Sequence, residues 1–330
     1  MKKLLLIDSN AIIHRAYHAI PKSFKTRSGE QTNAVYGFTT TLIKALEDIE
    51  PDYVIASFDL AKKTFRHEEY AQYKATRVKA DQELYDQIPR VYELLETLNV
   101  PVYTKEGYEA DDVIGTIVES CSVQRKANEL EIYIVSGDKD IFQLIDGNVF
   151  VYNLKSGLSQ TQIVDRAKIK EDWALDPEDF VDLKALAGDP SDNIPGVPGI
   201  GPKTAIMLLQ SFGTLKGIYD EIDQRKKNTA YIESIAKEMA VKPRILNLLI
   251  EHKDQAFLSQ RLATICRDVP LEFDLKKAIW GDYDKQKLRD FFKVMSFNSL
   301  LKRFGAEPAP EPKTRQAKEQ QEKDNQLKLL

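Results

Sequence analysis

Three short runs of apolar and β-branched residues predict buried strands: Lys3–Ile7, Tyr53–Phe58 and Glu131–Val135. Apolar residues recur at three- and four-residue spacing in three longer stretches, which are Asn33–Ile49, Gln82–Leu98 and Ala110–Ala127. This spacing is typical of amphipathic helices. Strands that alternate with helices predict an α/β fold, with a mostly parallel central sheet flanked by helices.

The pattern changes along the chain. From about Thr161 onward, helical signals replace strand signals, so we predict a domain boundary between residues 153 and 163. Residues 1–160 then form the α/β domain and residues 161–305 a helical region. Residues 306–330 contain three prolines, five acids, five bases and no aromatic residue. Such a composition buries too little apolar surface to offset ordering entropy, and it predicts a disordered tail or linker.

Composition excludes several classes of protein. The 330 residues include 47 Lys and Arg against 51 Asp and Glu, a net charge of −4, and 42% are hydrophobic. No apolar run approaches the roughly 18 residues that span a bilayer, and the apolar N-terminal stretch ends at Asp8, too early for a signal peptide. Cys121 and Cys266 form neither a disulfide framework nor a metal-ligand spacing. We therefore expect a cytoplasmic protein with no membrane association.

Carboxylates follow each of the three predicted strands. The carboxyl ends of parallel strands meet at one edge of a sheet, where α/β folds bind ligands. Two further groups of acids lie at the head of a predicted helix and just after the apolar helix Phe180–Ala187. The nine candidates are Asp8, Asp59, Glu109, Asp111, Asp112, Asp138, Asp140, Asp189 and Asp192.

So many acids in one cleft would repel one another unless a cation neutralised them. Oxygen ligands without His or Cys favour Mg²⁺ or Mn²⁺ over zinc. Two such ions about 4 Å apart suit in-line displacement at phosphorus. Each acid alone could instead be a turn residue or a helix cap, and a receiver-type signalling domain needs only about three acids for one Mg²⁺. Five separate groups of acids favour the two-ion site.

A basic segment, residues 62–79, lies between the second and third predicted strands. It holds six bases against two acids, a local charge of +4, and the aromatic residues Phe65, Tyr70 and Tyr73 lie among the bases. Bases for phosphates and aromatic rings for stacking are typical of single-stranded nucleic acid binding. The alternative is a solvated helix face whose aromatic residues belong to the core.

A glycine hairpin follows the apolar helix Phe180–Ala187. Gly199 and Gly201 flank Ile200 in a tight turn whose amides can face a phosphate. Lys203 and the start of the next helix, Ile206–Phe212, add positive potential. The pattern predicts a helix–hairpin–helix at about residues 183–213 that contacts duplex backbone, with an ordinary Gly/Pro loop as the alternative.

Taken together, these residues resemble the 5′-nuclease domain of bacterial DNA polymerase I and, more distantly, the flap endonuclease family. The resemblance covers residues 1 to about 305. The matching segments are Leu6–Asp8, Phe58–Asp59, Phe65–Glu68, Tyr73–Lys74, Gly107–Asp112, Gly137–Asp140 and Gly188–Val197.

The resemblance implies a PIN-like 5′-nuclease fold and a role for each candidate residue. Asp8, Asp59, Glu109, Asp111 and Asp112 would form a first metal site, and Asp138, Asp140, Asp189 and Asp192 a second, with sharing between them left open. Arg66 and Lys74 would contact the scissile phosphate from a helical arch around residues 62–79, and Arg15 would contact a further phosphate. His14 stands where the family often has a tyrosine that stacks on a base. The remaining DNA contacts would be Tyr70, Tyr73, Arg77, Gly199, Gly201, Lys203 and Thr204, with a potassium ion at the hairpin.

The implied function is that of a Mg²⁺-dependent, structure-specific 5′ nuclease in replication and repair. Its substrates would be DNA with a 5′ flap, nick or 5′ end and RNA primers on DNA. It would act as a monomer at the nucleoid, in company with a DNA polymerase. Exonuclease or endonuclease preference, DNA or RNA flap preference, and a free-standing nuclease or a fragment of a longer polymerase all stay open.

Two rival functions fit these residues less well. A DNA-binding module that has lost catalysis would be expected to lose acids from one metal site, but all nine are present. A toxin-like ribonuclease would be much shorter and would lack the hairpin within residues 196–213.

Overall fold

A six-stranded sheet forms the centre of the protein in a computed structural model that describes residues 1–156, 160–226 and 231–305. The strands are β1 (Lys2–Asp8), β2 (Tyr53–Ser57), β3 (Val102–Tyr103), β4 (Leu130–Ser136), β5 (Val149–Ser156) and β6 (Gln160–Val164). Their order is β3-β2-β1-β4-β5-β6, and all neighbours are parallel except β5 and β6. The predicted fold class, a mostly parallel sheet flanked by helices, is confirmed.

The three predicted strands correspond to β1, β2 and β4. Residues Leu4 to Ile7 of β1 are at most 1% exposed, as expected for a central strand covered on both faces. The sequence prediction missed β3, β5 and β6. The predicted domain boundary at residues 153–163 falls inside the antiparallel β5–β6 pair and has to move towards the C-terminus, because β6 hydrogen-bonds to the sheet.

Helices cover both faces of the sheet. They are α1 (Ser9–Ala19), α2 (Asn33–Ile49), α3 (Phe65–Glu69), α4 (Gln82–Tyr85), α5 (Ile88–Thr97), α6 (Ala110–Ser120), α7 (Ser122–Lys126) and α8 (Arg166–Trp173). The predicted helix Asn33–Ile49 is confirmed, whereas Gln82–Leu98 is split into α4 and α5. Gln87 lies between them, buried, and its Oε1 accepts a hydrogen bond from the Ala34 amide at the start of α2 (2.8 Å). Ala110–Ala127 is likewise divided at Cys121.

The basic segment 62–79 contains only the short helix α3, followed by turns at residues 71–76. A continuous helical arch is therefore not formed here. The segment is instead hydrogen-bonded to the loop that precedes the glycine hairpin: the Lys74 amide donates to the Asp192 carbonyl (2.9 Å) and the Asn193 side-chain amide to the Gln72 carbonyl (2.7 Å).

The C-terminal part is helical. Its helices are α9 (Asp179–Ala187), α10 (Pro202–Phe212), α11 (Leu215–Lys226), α12 (Ile232–Glu238), α13 (Pro243–Glu251), α14 (Lys253–Ala263), α15 (Lys285–Val294) and α16 (Asn298–Gly305). A separate apolar core runs from Leu175 to Ala256. Phe291 and Phe292 of α15 belong to the same apolar core as Phe38 of α2, so the predicted unit 161–305 is not one independent body.

No helix in the described ranges is both long and apolar enough to cross a bilayer.

Short 3₁₀ helices occur at Asp140–Leu144 and Leu275–Ala278. The predicted tail, residues 306–330, lies outside the described residues.

Candidate active site

Acidic side chains collect at the carboxyl edge of the parallel strands. Asp8 is the last residue of β1 and pairs in register with Ser57, the last residue of β2. Asp59 and Asp138 follow β2 and β4, and Asp111 lies in the first turn of α6. The strand topology thus places these four acids at one edge, as the sequence predicts.

Asp8 is held in place by two hydrogen bonds. Its side chain is 4% exposed, its Oδ2 accepts from the Ser136 hydroxyl (2.6 Å), and its Oδ1 accepts from the Ala11 amide at the start of α1 (3.2 Å). Burial raises the pKa of Asp8 to about 7, and the negative charges of Asp59 and Asp138 act in the same direction.

Asp111 experiences the same excess of negative charge. Burial and then the charges of Asp8 and Asp138 hold the pKa of Asp111 well above its ordinary value. Asp59 lies alongside, where its Oδ1 accepts from the Ala110 amide (2.7 Å). Across residues 1–156, 160–226 and 231–305, no Lys or Arg lies within salt-bridge distance of Asp8, Asp59, Asp111 or Asp138. We call these four the unpaired acids.

The other five acids are paired with protein cations. The pairs are Glu109 with Lys74 (2.7 Å), Asp112 with Arg66 (2.7 Å), Asp192 with Arg77 (2.5 Å), Asp189 with Lys184 (2.5 Å) and Asp140 with Lys184. These paired acids carry local countercharges, whereas the unpaired acids do not. The nine candidates thus form two electrostatically different groups.

The structure corrects the predicted role of Arg66. Arg66 is 2% exposed, and its guanidinium makes two parallel hydrogen bonds to the Asp112 carboxylate (2.7 and 2.8 Å). It also donates to the carbonyl oxygens of Leu262 (2.9 Å) and Thr264 (2.8 Å). A guanidinium occupied in this way cannot reach a phosphate without leaving the core. The predicted phosphate contact is therefore wrong for this conformation.

The same correction applies to Asp112 as a metal ligand. Its side chain is fully buried, and its oxygens also accept from the amides of Cys266 (2.8 Å) and Glu109 (3.0 Å). Asp112 thus connects α3, α6 and the chain that follows α14, with no oxygen facing the cleft.

Tyr73 is a second correction within the basic segment. It is 3% exposed, and its hydroxyl lies between Glu109 Oε2 (3.1 Å) and Asp192 Oδ2 (3.0 Å), so its ring is not available to stack on a base. Tyr70 is half-buried and packs beside Tyr73 in a small apolar cluster. The alternative interpretation of the segment, aromatic residues turned into the core, therefore holds for these two.

Basic residues still border the cleft. Its volume is about 190 Å³, and besides acids it is lined by Asn10, Ala11, His14, Lys74 and Arg77. His14 is exposed, and its pKa is lowered by partial desolvation and then by the charges of His18 and Arg77. Arg15 is half-buried; it donates to the Leu154 carbonyl, and a Cβ added at Gly137 would lie 3.0 Å from Arg15 Nε.

The predicted hairpin connects α9 to α10. Val197 and Ile200 are buried in the helical core, whereas Gly199 is exposed at the tip. Gly199 has φ +82°, a conformation that favours glycine, while Gly201 caps α10 with φ −94°. Lys203 is exposed on the first turn of α10 and Thr204 is half-buried beside it.

The donor set fits a hard divalent cation. The four unpaired acids supply only oxygen ligands, and burial together with the neighbouring carboxylates raises the pKa values of Asp8 and Asp111, an unfavourable state that a bound cation would relieve. In the present side-chain conformations, no three His, Cys, Asp or Glu residues in the described ranges lie close enough together to hold an ion. Side-chain rotation would therefore accompany ion binding.

Three residues of the site were missed by the sequence analysis. Ser136 donates to Asp8, Asn10 accepts from the Asp59 amide (3.1 Å), and Lys184 joins Asp140 to Asp189. Lys184 had a detectable signal, because it is the only base in the apolar helix Phe180–Ala187. Ser136 and Asn10 had none.

Two family models match consecutive parts of the chain. The 5′-3′ exonuclease N-terminal resolvase-like domain matches residues 3–174, and the 5′-3′ exonuclease C-terminal SAM fold matches residues 175–286. Among curated relatives, DNA polymerase I of Bacillus caldotenax is 38% identical over 312 residues and that of Bacillus subtilis 38% over 308 residues. These alignments cover 94% and 93% of this chain but 33% of each relative, so the chain spans about a third of their length.

Solved structures share the fold. The T5 5′-exonuclease with bound zinc ions has a TM-score of 0.63 and 22% identity, covering 89% of this chain and 100% of that one. The catalytic core of Rad2 in complex with a DNA substrate has a TM-score of 0.58 and 20% identity, covering 92% of both chains. At these identities the likeness concerns the fold alone.

Proposed function

This chain belongs to the 5′-3′ exonuclease family, and we propose that it hydrolyses phosphodiester bonds of DNA at 5′ flaps, nicks and 5′ ends with the help of divalent cations. One observation carries the proposal. In the described part of the chain, four carboxylates that have no Lys or Arg at salt-bridge distance line one cleft together with Lys74 and Arg77. Such a cleft suits a phosphate chain that arrives together with cations.

We assign the unpaired acids, Asp8, Asp59, Asp111 and Asp138, as the residues that hold the ions, with Asp140, Asp189 and Asp192 completing an outer site. Oxygen-only donors favour Mg²⁺ or Mn²⁺. When bound, such ions stabilise charge on phosphate oxygens and lower the pKa of bound water. Ser136 and the Ala11 amide keep the Asp8 carboxylate oriented towards the cleft.

Lys74 and Arg77, the basic side chains beside the cleft, would act on the phosphate directly. Lys74 Nζ is 2.7 Å from Glu109 Oε1, and Arg77 is exposed at the cleft rim. A fixed cation beside a phosphate stabilises the charge that develops during cleavage. His14, also exposed on this rim, offers a ring that can stack on a base near the cut.

The hairpin anchors the duplex in this proposal. Its exposed tip at Gly199 and the N-terminus of α10, with Lys203 exposed, present backbone groups and positive charge to a DNA backbone. A potassium ion bound by hairpin carbonyl oxygens would join this contact, and Arg15 and Thr204 would add further phosphate contacts. Recognition of this kind depends on duplex shape and not on sequence.

The substrates would include RNA primers annealed to DNA, and a DNA polymerase would extend the strand that displaces the flap. The second candidate function is a flap-binding module with weak catalysis. This alternative is supported by the five paired acids, because protein cations already neutralise them and no metal ion is needed to do so.

The purified chain should be incubated with end-labelled flap, nicked-duplex and single-stranded substrates in Mg²⁺, in Mn²⁺ and with a chelator. We expect chelator-sensitive cleavage that is fastest on the flap. Tight flap binding without cleavage in any metal would favour the binding module and overturn the nuclease assignment.

Lys74 should act on the bond-breaking step. Lys74→Ala should lower the single-turnover cleavage rate roughly a hundredfold, since a positioned cation in a water-poor site contributes about 3 kcal/mol to the transition state. The matched control is Lys62→Ala, which removes an exposed lysine of the same basic segment that pairs with the exposed Glu106. A loss of affinity with an unchanged single-turnover rate would make Lys74 an ordinary phosphate contact.

The hairpin should govern affinity. A Cβ at Gly201 meets no atom within 4 Å and its φ is ordinary, so Gly201→Ala should keep the melting temperature while obstructing the approach of a phosphate. Flap affinity, measured by fluorescence anisotropy, should fall several-fold with a normal rate at saturating protein. Gly147→Ala, equally free of contacts but in the turn before β5, is the control. Unchanged affinity of Gly201→Ala would show that DNA does not approach this turn closely.

A further inference from the structure

Among the residues that the structure describes, Lys184 is the only cation that joins two of the acids assigned to the outer ion site. It lies near the end of α9, and its Nζ contacts both Asp140 Oδ1 and Asp189 Oδ2, the latter at 2.5 Å. All three side chains are largely buried, with 19% of Lys184, 13% of Asp140 and 12% of Asp189 exposed. The Lys184 ammonium group thus lies between two carboxylates that the proposed function assigns to a divalent cation.

Neighbouring hydrogen bonds fix which carboxylate oxygens face the Lys184 ammonium group. Asp189 Oδ1 accepts from the amide and hydroxyl of Ser191 (2.8 and 2.6 Å), so only its Oδ2 faces Lys184. The Asp140 amide donates to Asp138 Oδ1 (3.0 Å), which holds Asp140 directly beside an unpaired acid. The ammonium therefore stands at the border between the paired and the unpaired acids.

We propose that Lys184 is a built-in substitute for the outer metal ion, occupying that position in the metal-free protein and leaving it when the ion binds. The inference rests on the proposed function, because it presumes that Asp140 and Asp189 are ion ligands. The two cations compete for the same oxygens, and like charges at contact distance repel. At the inner position, formed by the unpaired acids, no described Lys or Arg side chain competes in this way. The inner ion thus binds first and the outer ion more weakly.

The same ammonium stabilises the fold when no metal is present. Removing one partner of a largely buried ion pair leaves uncompensated charge, which is strongly unfavourable. Without Lys184, Asp140 and Asp189 would face each other and Asp138 with no cation nearby. A metal ion should then replace the lysine as the stabilising charge. The increase in melting temperature that metal causes should therefore be larger when an uncharged residue replaces Lys184.

The test compares the wild-type chain with Lys184→Met, which keeps an unbranched side chain one atom shorter than lysine and removes the charge. Mn²⁺ binding without DNA is followed by isothermal titration calorimetry, and melting temperatures are recorded in EDTA and in Mn²⁺. We expect two unequal sites in the wild type, and an outer affinity about tenfold higher in Lys184→Met. In EDTA the variant should melt below the wild type, and Mn²⁺ should close the gap.

Two further variants separate charge from folding. Lys184→Arg keeps the charge and should retain the weak outer site, even if Lys184→Met folds poorly without metal. Lys168→Met removes a lysine that pairs with two acids, Glu171 and Asp172, on the surface of α8, and should change neither measurement.

The outcomes distinguish this inference from the proposed function. Equal outer affinity in the wild type and Lys184→Met, or an outer site in Lys184→Arg as tight as in Lys184→Met, would overturn the role of Lys184 while a chelator-sensitive nuclease stands. A wild-type chain that binds no divalent ion and cuts no flap DNA would overturn both.

Discussion

Asp111→Asn should reduce single-turnover cleavage of a flap substrate by about three orders of magnitude, because a divalent cation at a reacting phosphate contributes several kcal/mol. The substitution keeps the shape of the side chain but removes a charged oxygen from the group of four unpaired acids. Flap affinity in Ca²⁺ should change by less than about tenfold, since affinity depends mainly on phosphate contacts elsewhere. Rates over a range of Mg²⁺ and anisotropy titrations provide the two measurements.

A stability measurement rules out misfolding as the cause. The pKa of Asp111 is raised in the folded protein, so its ionised form disfavours folding at neutral pH, above the unfolded pKa. The neutral variant should therefore melt at a higher temperature than the wild type in EDTA. Glu119→Gln, an exposed change on the same helix, is the control for activity. Near-normal cleavage by Asp111→Asn at low Mg²⁺ would exclude Asp111 as an ion ligand.

Arg66→Ala should lower the free energy of unfolding by about 3 to 5 kcal/mol, as expected when one partner of a buried ion pair is removed. The variant leaves the Asp112 carboxylate buried without its guanidinium, and it also frees the carbonyl oxygens of Leu262 and Thr264. Urea denaturation followed by circular dichroism measures the loss.

A surface pair gives the scale for comparison. Arg166 pairs with Asp176 and Glu178 but is 46% exposed, and Arg166→Ala should cost less than about 1 kcal/mol. The double variant Arg66→Met, Asp112→Leu should recover part of the loss by replacing the pair with apolar groups. It cannot recover all of it, because Asp112 also accepts from two backbone amides. If Arg66→Ala unfolds like the wild type, the pair does not stabilise the fold.

The strands that the sequence predicts are those buried on both faces. A continuous apolar run such as that of β1 has few alternatives to a central parallel strand. β6 lies at the edge of the sheet, where a strand has one neighbour and one largely solvated face. Its sequence, Gln-Thr-Gln-Ile-Val, therefore contains no long apolar run that would have predicted a strand. β3 has only two residues and no detectable period. β5 begins with the apolar run Val149–Tyr152 and could have been predicted.

The acids of the site were identifiable from sequence, but their electrostatic state was not. Glu109 and Asp112 share a motif with Asp111, yet only Asp111 of the three lacks a cation. The cations that pair with Glu109, Asp112 and Asp192 come from residues 66–77, far away in the chain. Lys184 is only five residues from Asp189 but 44 from Asp140, so the sequence does not show that it joins the two. The burial of Arg66 was equally hidden, because a basic aromatic segment has the same composition on a surface and in a core.

The contact between the basic segment and the hairpin loop restricts how this protein can recombine with its relatives. A crossover at residue 174, between the two family domains, separates Gln72 and Arg77 from their partners Asn193 and Ser191. The Lys74–Asp192 bond joins two backbone groups, and the Asn193 and Arg77 side chains donate to the backbone carbonyls of Gln72 and Ser191. Arg77 also pairs with the Asp192 side chain, and this bond requires a matching residue on each loop. A chimera that inherits both loops from the same parent therefore keeps all of these contacts, whereas mixed parentage puts the Arg77–Asp192 pair at risk.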